Sequence, residues 1–301
     1  MSSKRHRVHV PVYIIALIIF LCLELLMVIF LQFMTFPELL SQLKEDEGPE
    51  YTATSTEPYL DKEEGVLVEN EVVPIEEVLF EYVEVIDSCG PHFEGECVVV
   101  RSGPGTDYPV LSHLRNHVVL KVDGKVEREG RTWYKIVFDE WLRYPERVEG
   151  EWYVAADFVS VLKDEGVKTV WEDGKASTTK RIVVDRSEQK LYAYDGETLF
   201  KEISISTGLE LSPTPRGMFT VFKKTPSRYM QGPLPGFSDV YDLPGVPWNL
   251  YFTEGGAVIH GAYWHDSFGS PYSHGCVNVP PLEARELYEW AELGMSVQVK
   301  D

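Results

Sequence analysis

Basic residues are scarce in this 301-residue sequence: 28 Lys and Arg stand against 48 Asp and Glu, giving a formal net charge of −20. Neutralising a phosphate backbone takes clustered cations, so nucleic acid is excluded as a partner. Cysteine is scarce as well, with Cys22, Cys89, Cys97 and Cys276 making the full set of four. Cys89 and Cys97 lie eight apart in a Gly- and Pro-containing loop and are placed to bridge in an oxidising compartment, which leaves Cys276 unpaired. No internal repeat is evident. Long apolar runs are limited to residues 10–34, where Glu24 is the only ionisable residue.

A helix of that length covers a hydrocarbon layer of roughly 30 Å. Lys4, Arg5 and Arg7 precede it and acidic residues come after it, so the N-terminus is expected to stay in the cytoplasm and the rest of the chain to face outward. The run exceeds a usual signal-peptide core, and no small-x-small cleavage site follows Phe36, which favours an uncleaved anchor. The expected layout is therefore a basic cytoplasmic N-terminus at 1–9 and a single transmembrane helix at 10–36. Glu24 within the span either stays protonated, faces a partner helix, or is a tolerated polar residue.

The chain is 44% apolar and long enough for about two folded domains beyond this anchor. Residues 37–77 come first, as an acidic linker. Between residues 45 and 87 fifteen acids meet one base, Lys62, a composition that self-repels and does not fold alone. From 78 to 163, short β-rich runs alternate with turn signals: CVVVRSG, PGTDYPV, HVVLKVDG, TWYKIVF and EWYVAADFVSVL. This is the pattern of a small antiparallel barrel. The run from Val100 to Tyr108, together with Trp133-Tyr134-Lys135 and Gly150 to Val154, resembles bacterial SH3-like domains. In that family some barrels bind wall peptides and others only position a catalytic neighbour, and both readings stay open. The insert 139–150, with Trp141, Arg143, Tyr144 and Arg147, departs from the compact family pattern, as a contact loop or as an elaboration.

A connector at 164–178 leads to a second, mostly β domain at 179–301. Residues 181–185 and 190–194 flank a polar turn as a β-hairpin does, and strands are expected over 200–207 and 219–222. Near the end, Pro281 suits a helix first turn, and Ala284, Leu287, Tyr288 and Ala291 recur at helical spacing. Gly294 is expected to stop the helix, and residues 296–299 to return to strand.

The chemistry concentrates in two stretches. Ala257-Val258-Ile259-His260-Gly261 reads as a buried strand ending in a polar residue, and a loop then returns to Ser273-His274-Gly275-Cys276-Val277-Asn278. A free thiol titrates near ~8.5 and needs a base or a cation to become a nucleophile at neutral pH. His260 suits that role, taking the thiol proton and later returning one to a leaving amine. Gly275 has no side chain to block approach, so amides around Gly275 and Cys276 are candidates for an oxyanion site. The duller readings are a structural thiol for Cys276, loop or core positions for His265 and His274, and a zinc site of His260, His265, His274 and Cys276 whose spacing matches no usual zinc pattern. Tyr241, Trp248, Tyr263 and Trp264 are nearby aromatics. Trp264 stands where a lid would be, between base and nucleophile, whereas Trp248 is expected to pack in the core.

His260-Gly261 with Ser273-His274-Gly275-Cys276-Val277-Asn278 resembles the signature of YkuD-like L,D-transpeptidases. Ser206-Thr207-Gly208 and Pro213-Thr214-Pro215-Arg216-Gly217 extend the resemblance over residues 179–301. It implies a β-sandwich-like domain acting on peptidoglycan stem peptides, with Cys276 as nucleophile and His260 as general base and acid. The Gly261 carbonyl would orient the His260 ring, Gly275 would supply an oxyanion amide, and Ser273, His274 and Asn278 would shape the pocket with Trp264. Many members carry Arg where Asn278 stands, which bears on the pocket's charge preference. No metal or organic cofactor is implied. The expected whole is a mostly β, membrane-anchored cell-wall cross-linking or modifying enzyme. Its catalytic region is extracytoplasmic, and a hydrolase of the L,D-carboxypeptidase type and an inactive wall-binding scaffold are the alternatives. A cysteine peptidase of the NlpC type is disfavoured because there Cys precedes His. Neither the acceptor nor the oligomeric state is set by these motifs.

Overall fold

The computed structural model describes residues 79–170, 178–234 and 239–301. The N-terminus at 1–9, the anchor at 10–36 and the linker at 37–77 expected from the sequence lie outside them. Among the described residues no helix is long and apolar enough to cross a membrane.

Seven strands open the described chain: β1 (Phe80–Val85), β2 (Val98–Arg101), β3 (Val110–Leu114), β4 (Val119–Arg128), β5 (Arg131–Ile136), β6 (Trp152–Ala155) and β7 (Val159–Asp164). They form one antiparallel sheet in the order β3-β2-β6-β5-β4-β1-β7. Alternating residues such as Val83, Val85, Val98 and Val100 fill its core, as period-two burial requires. The run expected as PGTDYPV is mostly turn. Gly103, Pro104 and Gly105 break the strand, and Arg128 clamps the turn through two 2.9 Å bonds to the Asp107 carboxylate. In the β1–β2 connection Cys89 is joined to Cys97 by a disulfide.

Two five-stranded sheets make up the rest. Within the connector, β8 (Lys168–Thr169) is already part of the second of them, since it pairs with the start of β13. The remaining elements are β9 (Lys180–Asp185), β10 (Lys190–Asp195), β11 (Thr198–Ser204), β12 (Gly217–Thr220), β13 (Lys223–Pro233), β14 (Val240–Tyr251), β15 (Val258–Gly261), β16 (Val277–Val279), α1 (Pro281–Trp290) and β17 (Ser296–Lys300). The sheets run β11-β10-β9-β17-β12 and β16-β15-β14-β13-β8. Ile182, Val184 and Val297 from the first meet Leu250, Ile259 and Val277 from the second, with Leu287 of α1, in one core. Each fully buried aliphatic side chain there contributes roughly 1.5–3 kcal/mol.

The long β13–β14 hairpin lies outside the strands expected from the sequence, and it contains Pro226, Pro233, Pro244 and Pro247, residues that ordinarily disfavour strand. They are tolerated because most of the hairpin is paired on one side only. β8 meets β13 at Lys223 and Lys224, and β15 meets β14 at Leu250 and Tyr251. Beyond those residues the missing N–H groups fall where the hairpin has no outer partner. This free part reaches across to the first sheet: Met230 and Val246 join that sheet's core, and Ser227 Oγ donates to the Val119 carbonyl at 2.5 Å. Arg285 of α1 meets the buried Glu84 carboxylate of β1 at 3.1 Å.

Helix α1 begins at Pro281 as expected and buries Ala284, Leu287 and Tyr288. It ends earlier than Gly294, with Ala291 already extended. Lys224 Nζ takes the place of a glycine cap, donating to the Tyr288 and Ala291 carbonyls at 2.7 and 2.5 Å. The Gly294 amide bonds instead to the Val221 carbonyl at 2.8 Å.

Candidate active site

Strands β15 and β16 lie side by side in parallel, with Ile259 opposite Val277 and His260 opposite Asn278. Alternation sends Ile259, Val277 and Val279 into the core. It therefore turns His260, Asn278 and, just before β16, Cys276 to the opposite face. All three line a cavity of about 880 Å³. One register choice thus delivers a thiol, an imidazole and a carboxamide together.

Each ring nitrogen of His260 has a distinct setting. Nδ1–H donates to the Gly261 carbonyl at 3.1 Å, which fixes the tautomer and leaves Nε2 with its lone pair. Nε2 is buried and has no hydrogen-bond partner. Burial pushes the ring's pKa down to about 4, against the small upward pull of the Gly261 bond, so the imidazole is neutral at pH 7 and able to accept a proton. Gly261 itself leaves no room for a side chain, since a Cβ there would lie 2.8 Å from Pro247 and 3.3 Å from the Pro281 backbone.

Cys276 is the free cysteine among the described residues and is half-exposed. Its Sγ rests 3.8 Å from the Gly256 carbonyl. Burial of the sulfur raises the thiol pKa, while the Val258 amide and the charge of Arg228 pull it down. At rest the two are a neutral thiol and a neutral imidazole on one face of the sheet; Sγ is turned to the Gly256 carbonyl and makes no hydrogen bond to Nε2.

The turn that presents the sulfur is held from several sides. Ser273 Oγ donates to the Cys276 carbonyl at 2.5 Å and accepts from the Gly275 amide at 3.2 Å. Thr214 Oγ1 reaches the same carbonyl at 3.2 Å and itself accepts from the Gly208 amide at 2.9 Å. Ser206 exchanges two 2.9 Å backbone bonds with Asn278. The Ser206-Thr207-Gly208 and Thr214 stretches thus act as a brace behind Cys276. Gly275 has a φ of 116°, a conformation open to glycine and strained for other residues. In this resting geometry its amide is engaged by Ser273 rather than turned to the cavity.

Asn278 is steered by His265, whose ring is 1% exposed. Ser267 N–H donates to His265 Nδ1 at 3.2 Å, so the neutral ring carries its proton on Nε2. Asn278 Nδ2 lies 2.8 Å from Nε2, which would set two donors face to face, so the carboxamide is assigned with O and N exchanged: its oxygen accepts from Nε2–H and its NH₂ is turned away. Burial lowers the His265 pKa to about 4. Trp264 lines the cavity with its ring 5.6 Å from that of His260. His274 stacks on Tyr241 at 6.4 Å. Trp248 is core, as expected, and Tyr263 is buried with its hydroxyl on the Pro244 carbonyl at 2.6 Å.

Sequence reasoning missed Arg228, because β13 was not read as strand, and it treated His265 as a loop or core histidine. No single-residue signal marks Arg228. For His265 the clue was its place between His260 and Asn278.

Residues 179–299 match the YkuD family, described as L,D-transpeptidase catalytic domain. Among solved structures, the chain is similar to an L,D-transpeptidase from Mycobacterium smegmatis, at 20% identity over 57% of this chain and 91% of that one, with a TM-score of 0.39. It is similar to L,D-transpeptidase 3 from Mycobacterium tuberculosis at 17% identity, covering 60% and 98%, TM-score 0.39. It is also similar to an Enterococcus faecium L,D-transpeptidase at 28% identity, covering 40% of this chain and 50% of that one, TM-score 0.38. No curated protein matches the chain.

Proposed function

We propose that the chain is a membrane-anchored L,D-transpeptidase that cross-links or modifies peptidoglycan stem peptides on the outer side of the membrane, with Cys276 as nucleophile. The observation that carries this reading is the buried, unpartnered Nε2 of His260 on the same sheet face as the free Cys276, within a segment that matches the L,D-transpeptidase catalytic family.

In this mechanism the Cys276 thiol gives its proton to His260 Nε2 as sulfur attacks the carbonyl joining the L-centre of a diamino acid to a terminal D-residue. The tetrahedral oxyanion is met by the Cys276 amide, and by the Gly275 amide once Ser273 Oγ lets it go. Asn278 NH₂ offers a further donor in the pocket. A preorganised donor of this kind contributes ~3 kcal/mol to the barrier reduction. The intermediate collapses by expelling the D-amino acid, whose nitrogen takes the proton back from His260, and a thioester remains. An acceptor amine then attacks, His260 takes its proton, and the thiol is restored. Ser273, His274 and Trp264 shape the pocket and limit water.

The anchor at 10–36 and the Cys89–Cys97 bond support an oxidising, extracytoplasmic setting. The first sheet is assigned to the SH3-like class on the motifs at 100–108 and 150–154.

Incubating the full chain with a defined tetrapeptide and following intact mass tests the assignment. Wild-type protein should gain the acyl mass on Cys276. Cys276→Ala should abolish it, and His260→Ala should slow it by ~10²-fold or more. Acylation that survives in Cys276→Ala would remove the nucleophile assignment. Products carrying a new cross-link distinguish transfer from hydrolysis.

A further inference from the structure

The insert at 139–150 leaves the first sheet between β5 and β6 and is pinned to the β13–β14 hairpin. Glu140 Oε1 accepts from the Tyr229 amide at 2.6 Å. The Tyr144 amide donates to Gln231 Oε1 at 2.9 Å, and Gln231 Nε2 returns a bond to the Tyr144 carbonyl at 3.2 Å. Arg147 closes the loop with a 2.8 Å ion pair to Asp242. Two side chains between these anchors take no part in them. Trp141 is 81% exposed, and Arg143 has only the neighbouring Tyr144 ring within cation–π range, at 5.8 Å. Both line the cavity that holds Cys276.

The charge of that cavity runs against the chain as a whole. Arg115, Arg143 and Arg228 line it, and no Asp or Glu does, in a protein of net charge −20. Among the described residues every other arginine except Arg101 carries an ion pair, and Arg101 donates to the Tyr108 carbonyl. The cavity therefore collects guanidinium groups left without an acidic partner. A planar fork of N–H donors in that state is matched by a carboxylate. Arg228 has a second use, since its charge bears on the Cys276 thiol. Arg143 has no acidic partner, and its charge bears on the Tyr241 hydroxyl of the same cavity.

We propose that residues 139–150 form a carboxylate-recognition arm, in which Arg143 holds a free carboxylate of a peptide ligand and Trp141 covers the adjoining part of that peptide. The arm makes the first sheet part of the binding groove instead of a spacer. The identity of the ligand as the acyl donor rests on the function proposed above; the carboxylate preference does not.

The test uses the full chain carrying Cys276→Ala, so that binding is read without turnover. The probes are a stem-type tetrapeptide with free carboxylates and the same peptide with all of them, the C-terminal one included, amidated, titrated by calorimetry. Arg143→Ala should weaken the free-acid peptide about tenfold, the loss of one charge-assisted contact, and leave the amidated peptide unchanged. Arg143→Lys should recover part of the loss, and Trp141→Ala should weaken both peptides. Equal weakening of both peptides by Arg143→Ala, no weakening of either, or no binding of either to the Cys276→Ala protein would overturn the arm. Acylation of wild-type Cys276 is measured in parallel. Carboxylate-dependent binding without acylation supports the arm and removes the transpeptidase reading, whereas acylation with carboxylate-independent binding removes the arm alone.

Discussion

His260 and His265 are both held neutral by burial, and this has a cost that depends on pH. Each ring has a folded pKa of about 4 against an ordinary value of 6.5. Between those values the unfolded chain binds protons that the folded chain refuses, so stability falls as pH drops from 6.5 toward 4. A shift of that size corresponds to about 3 kcal/mol for each ring at the acid end. Replacing His265 by Asn removes one of the two contributions, so the slope of melting temperature against pH in this window should flatten relative to wild type. An unchanged slope would mean that His265 is not buried neutral. The same neutrality keeps the His260 base form available well below pH 6.5, where an exposed histidine is already protonated.

At the scale of the element, the junction of β13 with α1 turns on one ammonium. Lys224 is 7% exposed and serves the two carbonyls at the end of the helix, and burial lowers its pKa to about 8. Lys224→Met keeps the volume and strands both acceptors, so a loss of about 1–3 kcal/mol is expected in urea unfolding. A neutral result would show that water replaces the ammonium there. The same hairpin illustrates where pattern reading stops. Strands β9 and β10, the strand ending at His260, and α1 were legible from alternation, turn residues and helical spacing, because those signals are local. Strands β13 and β14 were not legible. Their prolines are allowed by the absence of outer neighbours, which is a property of the sheet and not of the segment.

For the molecule as a whole, the first sheet and the sandwich share their interiors. Tyr82 and Val119 of the first sheet belong to the sandwich core, and Met230, Val246 and Tyr263 of the sandwich belong to the first sheet's core. Neither keeps a complete apolar interior without the other. Calorimetry of the full chain should therefore show residues 79–301 melting in a single cooperative transition. Glu84→Gln, which weakens the Arg285 contact between the units, should lower that transition without splitting it. Two well-separated transitions would show that the units are energetically independent.

The sequence alone was enough to determine the composition-level exclusions, the strand-rich class, and the presence of a thiol, a histidine and a glycine turn in adjoining stretches. These come from residue type and spacing, which the chain carries whatever its partners. Tertiary structure decided the rest. The parallel register of β15 and β16 put Cys276, His260 and Asn278 on one face. Ser267 fixed the His265 tautomer and, through it, the orientation of the Asn278 amide. A loop from the first sheet brought Trp141 and Arg143 to a cavity whose other walls come, apart from Arg115, from residues 212–278. Such placements depend on which surfaces the folded chain buries against each other, and distant segments acquire that relation only when the core closes.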